Sequence, residues 1–247
     1  MTTCLGQKIS KLHVQNSQLS EKILRLLAIR RAYRNGALFF YISGLHYIKG
    51  MELLSPRRCI AITLRGRGKS DAPQSGYTLE DHISDIEAVI SYLKINEFVL
   101  MGFSRGVSYA LGYALKNLSL VKGLVLGDYP AIHSQLPLGW VEFFSSLPPW
   151  RGKSLPERMK THALFGLQKD SKQVLFWDKL SSLSCPVLVI RGGKPGSALS
   201  EEDGVRYLKE IPKSNLVVFE ESSHNLFEPC FENFVDTMKE FFKTVKG

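Results

Sequence analysis

Gly102-Phe103-Ser104-Arg105-Gly106 places a hydroxyl between two glycines, directly after an apolar run, Phe98 to Met101, and directly before a helical pattern that starts at Val107. A strand that turns this sharply into a helix holds the serine at the tip of a strained corner, with Oγ exposed above the sheet. The positions two before and two after it must then lack side chains. Gly102 and Gly106 meet that demand. The same turn aims the Arg105 backbone N–H, at a helix N-terminus, toward an anion bound beside Ser104. The chemistry served by such a corner is nucleophilic acyl transfer. The competing reading is a glycine-rich turn that happens to hold a serine, and the strand before and helix after favour the nucleophile.

A serine nucleophile needs a base. Of His13, His46, His82, His133, His162 and His224, the last closely follows an apolar strand and precedes an amphipathic helix. In a parallel sheet that strand end opens on the same side as Ser104. A base there takes the Ser104 proton during attack and returns it to the leaving group.

The elements that must hold these residues are legible as alternating apolar runs and helical stripes. Strands are expected at Ala37 to Ile42, Cys59 to Leu64, Phe98 to Met101, Gly123 to Asp128, Pro186 to Arg191 and Leu216 to Phe219. A helical segment is expected near Tyr47 to Leu54. Thr78 caps a helix striped by Leu79, Ile83, Ile86, Val89, Ile90 and Leu93. Ser200 caps another whose first turn, Glu201-Glu202-Asp203, suits its dipole. Phe231, Phe234, Val235, Met238, Phe241 and Phe242 stripe the last. Strands apolar throughout and alternating with helices predict an α/β fold, with a mostly parallel central sheet covered by helices on both faces.

Residues 129–184 break the alternation. About 55 residues with Trp140, Trp150, Trp177, Phe143, Phe144, Phe165, Phe176 and five prolines are too many for a connecting loop. They are read as a small helical lid over the carboxyl ends of the strands, where open α/β sheets bind ligands. The expected organisation is a basic N-terminal segment 1–34, a core built from 35–128 and 185–247, and the lid 129–184. Within the first segment, Leu19 to Tyr33 reads either as a basic amphipathic helix or as two short edge strands.

A chain of 247 residues, 44% hydrophobic and 22% charged, has the composition of a soluble globular protein. No apolar run approaches the ~20 residues that span a bilayer. The start lacks a basic region followed by an apolar core, so no signal peptide is expected. Cys4, Cys59, Cys185 and Cys230 are scattered without metal-type spacing, and a cytoplasmic location follows as the default. The net charge of +9 is concentrated at the front: seven Lys/Arg against Glu21 leave +6 in residues 1–34. Without interleaved aromatics or a binding motif, this reads as a solvated segment, so neither a nucleic-acid partner nor stable membrane insertion is expected. The oligomeric state is not legible.

This succession of elements resembles the α/β-hydrolase superfamily over roughly residues 35–244. Three landmarks carry the resemblance: Gly102-Phe103-Ser104-Arg105-Gly106 as the nucleophile elbow, Leu64-Arg65-Gly66-Arg67-Gly68-Lys69-Ser70-Asp71 as the arginine-glycine turn after an early strand, and Glu221-Ser222-Ser223-His224-Asn225 where the family carries its histidine. The resemblance implies an oxyanion hole from the backbone N–H groups of Leu45 and Arg105, although Ser43-Gly44 stands where the family usually has His-Gly. It also implies an acid just after the penultimate strand. Here that loop reads Gly192-Gly193-Lys194-Pro195-Gly196-Ser197, without a carboxylate. Asp128, Glu201, Glu202, Asp203, Glu220 and Glu221 remain as candidates. Asp128 is preferred, because it ends the strand next to the nucleophile strand and some members draw their acid from there. Its competing role is to cap the first turn of the lid.

The expected activity is therefore that of a serine hydrolase acting on a small ester, thioester or similar acyl substrate with an apolar portion. Ser104, His224 and Asp128 are catalytic, Leu45 and Arg105 hold the oxyanion, and Trp140, Phe143 and Phe144 of the lid bind substrate. No metal or organic cofactor is implied. A hydrolase-fold ligand receptor or signalling protein with little turnover is the alternative, favoured by the missing acid and the altered oxyanion loop.

Overall fold

The computed structural model describes residues 36–41, 53–55, 57–68, 70–149 and 152–245, with the backbone alone for 36–41 and 58. The expectations for Leu19 to Tyr33, for most of Tyr47 to Leu54, and for Leu45 and Trp150 lie outside the described residues.

Six strands form one parallel sheet. They are β1 (Gly36–Tyr41), β2 (Arg58–Thr63), β3 (Phe98–Phe103), β4 (Val121–Gly127), β7 (Val187–Gly192) and β8 (Ser214–Phe219), in the order β2-β1-β3-β4-β7-β8. Alternate side chains of β3 serve opposite faces, the period-2 consequence of the pleat. Phe98 and Leu100 join one core with Ile60, Ile62, Leu124, Leu126, Val187 and Val189. Val99, Met101 and Phe103 join the other with Cys59, Ala61, Val125, Leu188 and Ile190.

The first face is covered by α1 (Leu79–Tyr92) and α2 (Gly106–Lys116), with Tyr207 of α6 (Glu201–Glu210) at its end. The second is covered by Phe234, Val235, Met238, Phe241 and Phe242 of α7 (Phe231–Thr244). Strands β3, β4 and β7 are thus largely buried on both sides, as their uninterrupted apolar runs require.

Local sequence explains the clearest helix. Thr78 accepts from the Asp81 N–H at 3.1 Å while the Asp81 carboxylate accepts from the Thr78 N–H at 3.0 Å, a reciprocal cap. The arginine-glycine turn anchors the same helix. Arg65 donates Nε and Nη2 to the two oxygens of Asp85 at 2.5 and 2.6 Å, and both side chains are buried. Burial alone would lower the Arg65 proton affinity, but Asp85 and Asp81 raise it above the ordinary value.

The segment between β4 and β7 holds more than the helices expected of it. It contains β5 (Ile132–His133) paired antiparallel with β6 (Val174–Leu175), the helices α3 (Trp140–Ser146), α4 (Leu155–Arg158) and α5 (Thr161–Asp170), and a 3₁₀ turn, Trp177–Ser182. Its small core of Val141, Leu155, Met159, Ala163, Leu164 and Leu167 closes around Tyr77, which belongs to the loop before α1. Tyr77 N–H donates to Asp170 at 3.0 Å, and Arg67 pairs with Met159 in an isolated antiparallel bridge. These contacts fasten the insertion to the loop that leaves the carboxyl end of β2.

Candidate active site

Gly102 and Ser104 show why the elbow needs its sequence. A Cβ on Gly102 would lie 2.4 Å from the Gly106 carbonyl oxygen, so the residue must be glycine for the helix to start where it does. Ser104 itself sits at φ 54°, a left-handed conformation that costs a non-glycine residue about 1–3 kcal/mol. The strain is held by sheet contacts, since the Ser104 N–H donates to the Gly127 carbonyl at 2.8 Å. That N–H is therefore engaged. The next one, of Arg105, lies at the N-cap of α2, and among the described residues no acceptor takes it.

His224 arrives on the loop after β8. Gly192 and Gly193 at the end of β7 admit this loop: a Cβ on Gly192 would meet the Ser223 carbonyl oxygen at 2.1 Å, and one on Gly193 would meet Glu220 Cα at 2.7 Å. Lys194 N–H donates to the Ser222 carbonyl at 2.9 Å. The imidazole lies over the Phe103 ring, with centroids 4.9 Å apart. Its Nε2 is 2.9 Å from Ser104 Oγ and its Nδ1 is 2.7 Å from Asp128 Oδ2. A carboxylate accepts, so Nδ1 carries the proton, and the Nε2 lone pair faces the serine hydroxyl.

Asp128 follows β4 directly, also in a left-handed conformation at φ 45°, and is wholly buried. Its N–H donates to the Ile190 carbonyl at 2.7 Å. Burial would raise its pKa. Hydrogen bonds from His224, Ser197, Ala198 and Gly192 together outweigh this and hold the carboxyl below the ordinary value. The described carboxylate bonds of Asp128 run to these four groups rather than into the insertion.

The other acidic candidates are placed elsewhere. Glu201, Glu202 and Asp203 form the first turn of α6, where Ser200 accepts from the Asp203 N–H at 3.0 Å. Glu221 pairs with Lys194 at 2.5 Å in solvent, and Glu220 is exposed. In the insertion, Trp140 and Phe144 stack on each other at 4.7 Å and pack on its own core, while Phe143 is exposed. No described contact joins these three to Ser104. Leu45 lies outside the described residues.

The side chain of Arg105 has a role separate from that of its backbone N–H. It donates to the Ser134 carbonyl at 2.9 Å, to Ser171 Oγ at 2.7 Å and to His133 Nε2 at 3.0 Å. It thus ties the elbow to the insertion. An arginine nitrogen can only donate, so His133 is protonated on Nδ1, which lies 2.8 Å from Ser108 Oγ. Burial first, then the Arg105 charge, lowers the His133 pKa to about 3. His82 is similar: Nδ1 donates to the Thr78 carbonyl at 2.7 Å, Nε2 accepts from Arg67 at 3.1 Å, and the ring stacks on Tyr109. Burial and the Arg67 charge hold it well below the ordinary histidine value. Neither group carried a local sequence signal, because each is defined by partners distant in the chain.

Among the described residues no cluster of His, Cys, Asp or Glu could hold a metal ion, and no helix is long and apolar enough to cross a membrane.

Comparison with known proteins extends the geometry. The crystal structure of E-2-(acetamidomethylene)succinate hydrolase superposes with a TM-score of 0.69 at 23% identity, covering 87% of this chain and 94% of that one. An esterase from Exiguobacterium antarcticum gives 0.69 at 24% identity, covering 87% and 94%. In sequence, a 2-(acetamidomethylene)succinate hydrolase from Mesorhizobium japonicum is 36% identical over 70 residues, 28% of this chain and 25% of that protein. Two Bacillus subtilis relatives are covered over only 22% and 28% of their length. A proline iminopeptidase from Saccharolobus solfataricus is 24% identical over 231 residues, spanning 73% of this chain and 74% of that one. The alpha/beta hydrolase family model matches residues 35–237, and with the matching fold beneath it, the chain belongs to that family.

Proposed function

We propose that this protein is a serine hydrolase that cleaves a small ester, thioester or similar acyl bond through an acyl-enzyme. The observation that carries this reading is the chain Ser104 Oγ–His224 Nε2 at 2.9 Å and His224 Nδ1–Asp128 Oδ2 at 2.7 Å. Ser104 Oγ attacks the acyl carbon and its proton passes to Nε2. The carbonyl oxygen becomes an oxyanion held by the N–H groups of Arg105 and Leu45. When the intermediate collapses, Nε2–H protonates the leaving group, which departs and leaves the acyl group esterified to Ser104. Water then repeats the attack with the same base, releasing the acid and restoring the serine. Throughout, Asp128 keeps Nδ1 protonated and stabilises the transient imidazolium.

The esterase and hydrolase names among the similar structures support the reaction class. The insertion is proposed as a lid, with Trp140, Phe143 and Phe144 facing an apolar portion of the substrate. The alternative of a receptor with little turnover draws partly on the lack of an acid after β7. Asp128 lies within hydrogen-bond reach of His224 without one, which favours turnover.

Labelling with a fluorophosphonate probe tests the proposal: wild type reacts and Ser104→Ala does not. Folded wild-type protein that resists the probe would turn the reading to a receptor. Activity on p-nitrophenyl esters should rise from acetate toward butyrate, and a steep preference for acetate would count against an apolar acyl site.

A further inference from the structure

Asp128 is oriented from a loop that has no acid of its own. Each of its oxygens accepts two hydrogens. Oδ2 takes His224 Nδ1–H at 2.7 Å and Ala198 N–H at 2.8 Å; Oδ1 takes Gly192 N–H at 3.1 Å and Ser197 Oγ–H at 2.5 Å. Three of the four donors therefore belong to residues 192–198. Two are backbone groups. Besides His224, Ser197 is the side chain among them.

Resting on the proposed hydrolase site, we infer that Ser197 is a positioning residue: its hydroxyl fixes the rotation of the Asp128 carboxylate and moderates how strongly that carboxylate draws the His224 proton. The hydroxyl has one proton and two acceptors in reach, Asp128 Oδ1 at 2.5 Å and the Leu199 carbonyl at 3.0 Å. The charged oxygen is nearer and is the stronger acceptor. With Oδ1 tied by Ser197 and Gly192, the carboxylate cannot rotate without breaking bonds on both oxygens, so Oδ2 stays on Nδ1. The hydroxyl also spreads the negative charge. Without it Asp128 is a more basic acceptor, the imidazolium is better stabilised, and His224 holds its proton to higher pH.

Other charges near this group belong to Lys194 and Glu221, paired in solvent, and to Glu220 beside Gly193. Arg191 donates to the Leu199 carbonyl at 3.0 Å, Glu201 to Asp203 start α6, and Arg105 faces the insertion. Substitution at residue 197 leaves all of them in place.

The test is an NMR titration of the His224 ring, assigned by comparison with His224→Gln, together with the pH profile of kcat/KM. In Ser197→Ala the His224 midpoint and the acid limb should both move up by about half a unit or more, a change of about threefold or greater in proton affinity. Ser197→Thr keeps the hydroxyl and should return the titration toward the wild-type value. Should Ser197→Ala fail to fold, Ser197→Cys, a weaker donor, should give a smaller upward shift. An unmoved midpoint in Ser197→Ala or Ser197→Cys, whatever the loss of thermal stability, overturns the inference. The titration needs no turnover, so it stands apart from the Ser104 labelling: a shifted midpoint with an unlabelled Ser104 overturns the hydrolase reading and leaves the Ser197–Asp128–His224 coupling standing.

Discussion

Replacing Asp128 by asparagine keeps the side-chain shape and removes the charge. All four carboxylate partners are donors, so the amide nitrogen must face two of them in either orientation. Toward His224 and Ala198 it would force the imidazole to carry its proton on Nε2, facing Ser104, where it can no longer act as base. Toward Gly192 and Ser197 it loses the Gly192 bond, while Ser197 can turn its proton to the Leu199 carbonyl 3.0 Å away. This second orientation keeps the tautomer and leaves a neutral partner for the imidazolium. At an effective dielectric of about 20 and roughly 4 Å between charge centres, the lost attraction is about 4 kcal/mol, or about 10³ in kcat. One unsatisfied buried N–H costs a further ~1–3 kcal/mol of stability, lowering Tm by roughly 2–4 °C per kcal/mol. Because Asp128 titrates below its unfolded value, its contribution is fully present above about pH 3.9 and fades as pH falls through its folded pKa. The stability gap between wild type and Asp128→Asn should therefore narrow below that pH. The assays are kcat/KM on a p-nitrophenyl ester and urea unfolding at neutral and acid pH, with Glu201→Gln as the control. If Asp128→Asn keeps near-full turnover while Glu201→Gln loses it, the assignment of the acid is refuted.

Two further predictions follow from the packing. In Gly192→Ala the new methyl would lie 2.1 Å from the Ser223 carbonyl oxygen, so the loop carrying His224 must move; a misplacement of about 1 Å should cost about 10² in kcat, and kcat/KM close to wild type in a variant with native circular dichroism would refute this. His133 and His82 are buried and neutral, with proton affinities lowered to about 3 and well below the ordinary value respectively. The unfolded chain takes up these protons near about pH 6.5, so stability should be greatest above that and fall progressively toward pH 3. Urea midpoints between pH 7.5 and 5 should show the decline, His133→Gln should flatten it, and an identical slope in the variant would exclude His133 as a source.

Features that depend on neighbours along the chain are legible without the fold. The elbow was legible because a tight turn needs glycines at fixed offsets from Ser104, and the Gly102 contact with Gly106 lies within five residues. The Thr78 cap and the apolar stripe of α7 were legible for the same reason: helical spacing brings nearby residues onto one face. The strand ends expected from the chain lie within about two residues of those observed. Glycines 192 and 193 are visible in the chain, but local pattern shows there only a loop without a carboxylate. Their close contacts are with residues 220–223, beyond any local pattern.

Which carboxylate meets His224 is decided by the tertiary structure. Asp128 and Glu201 were both candidates in the chain, and 96 residues separate Asp128 from the histidine. The sheet order β3-β4-β7-β8 brings the ends of four parallel strands side by side. There Ser104, Asp128, the loop 192–198 and His224 converge. The role of Ser197, the tie from Arg105 to His133 and the closing of the insertion around Tyr77 have the same origin. Each joins a side chain to groups that only strand order and register bring within hydrogen-bond or packing distance, and hydrophobic periodicity carries no record of such pairs.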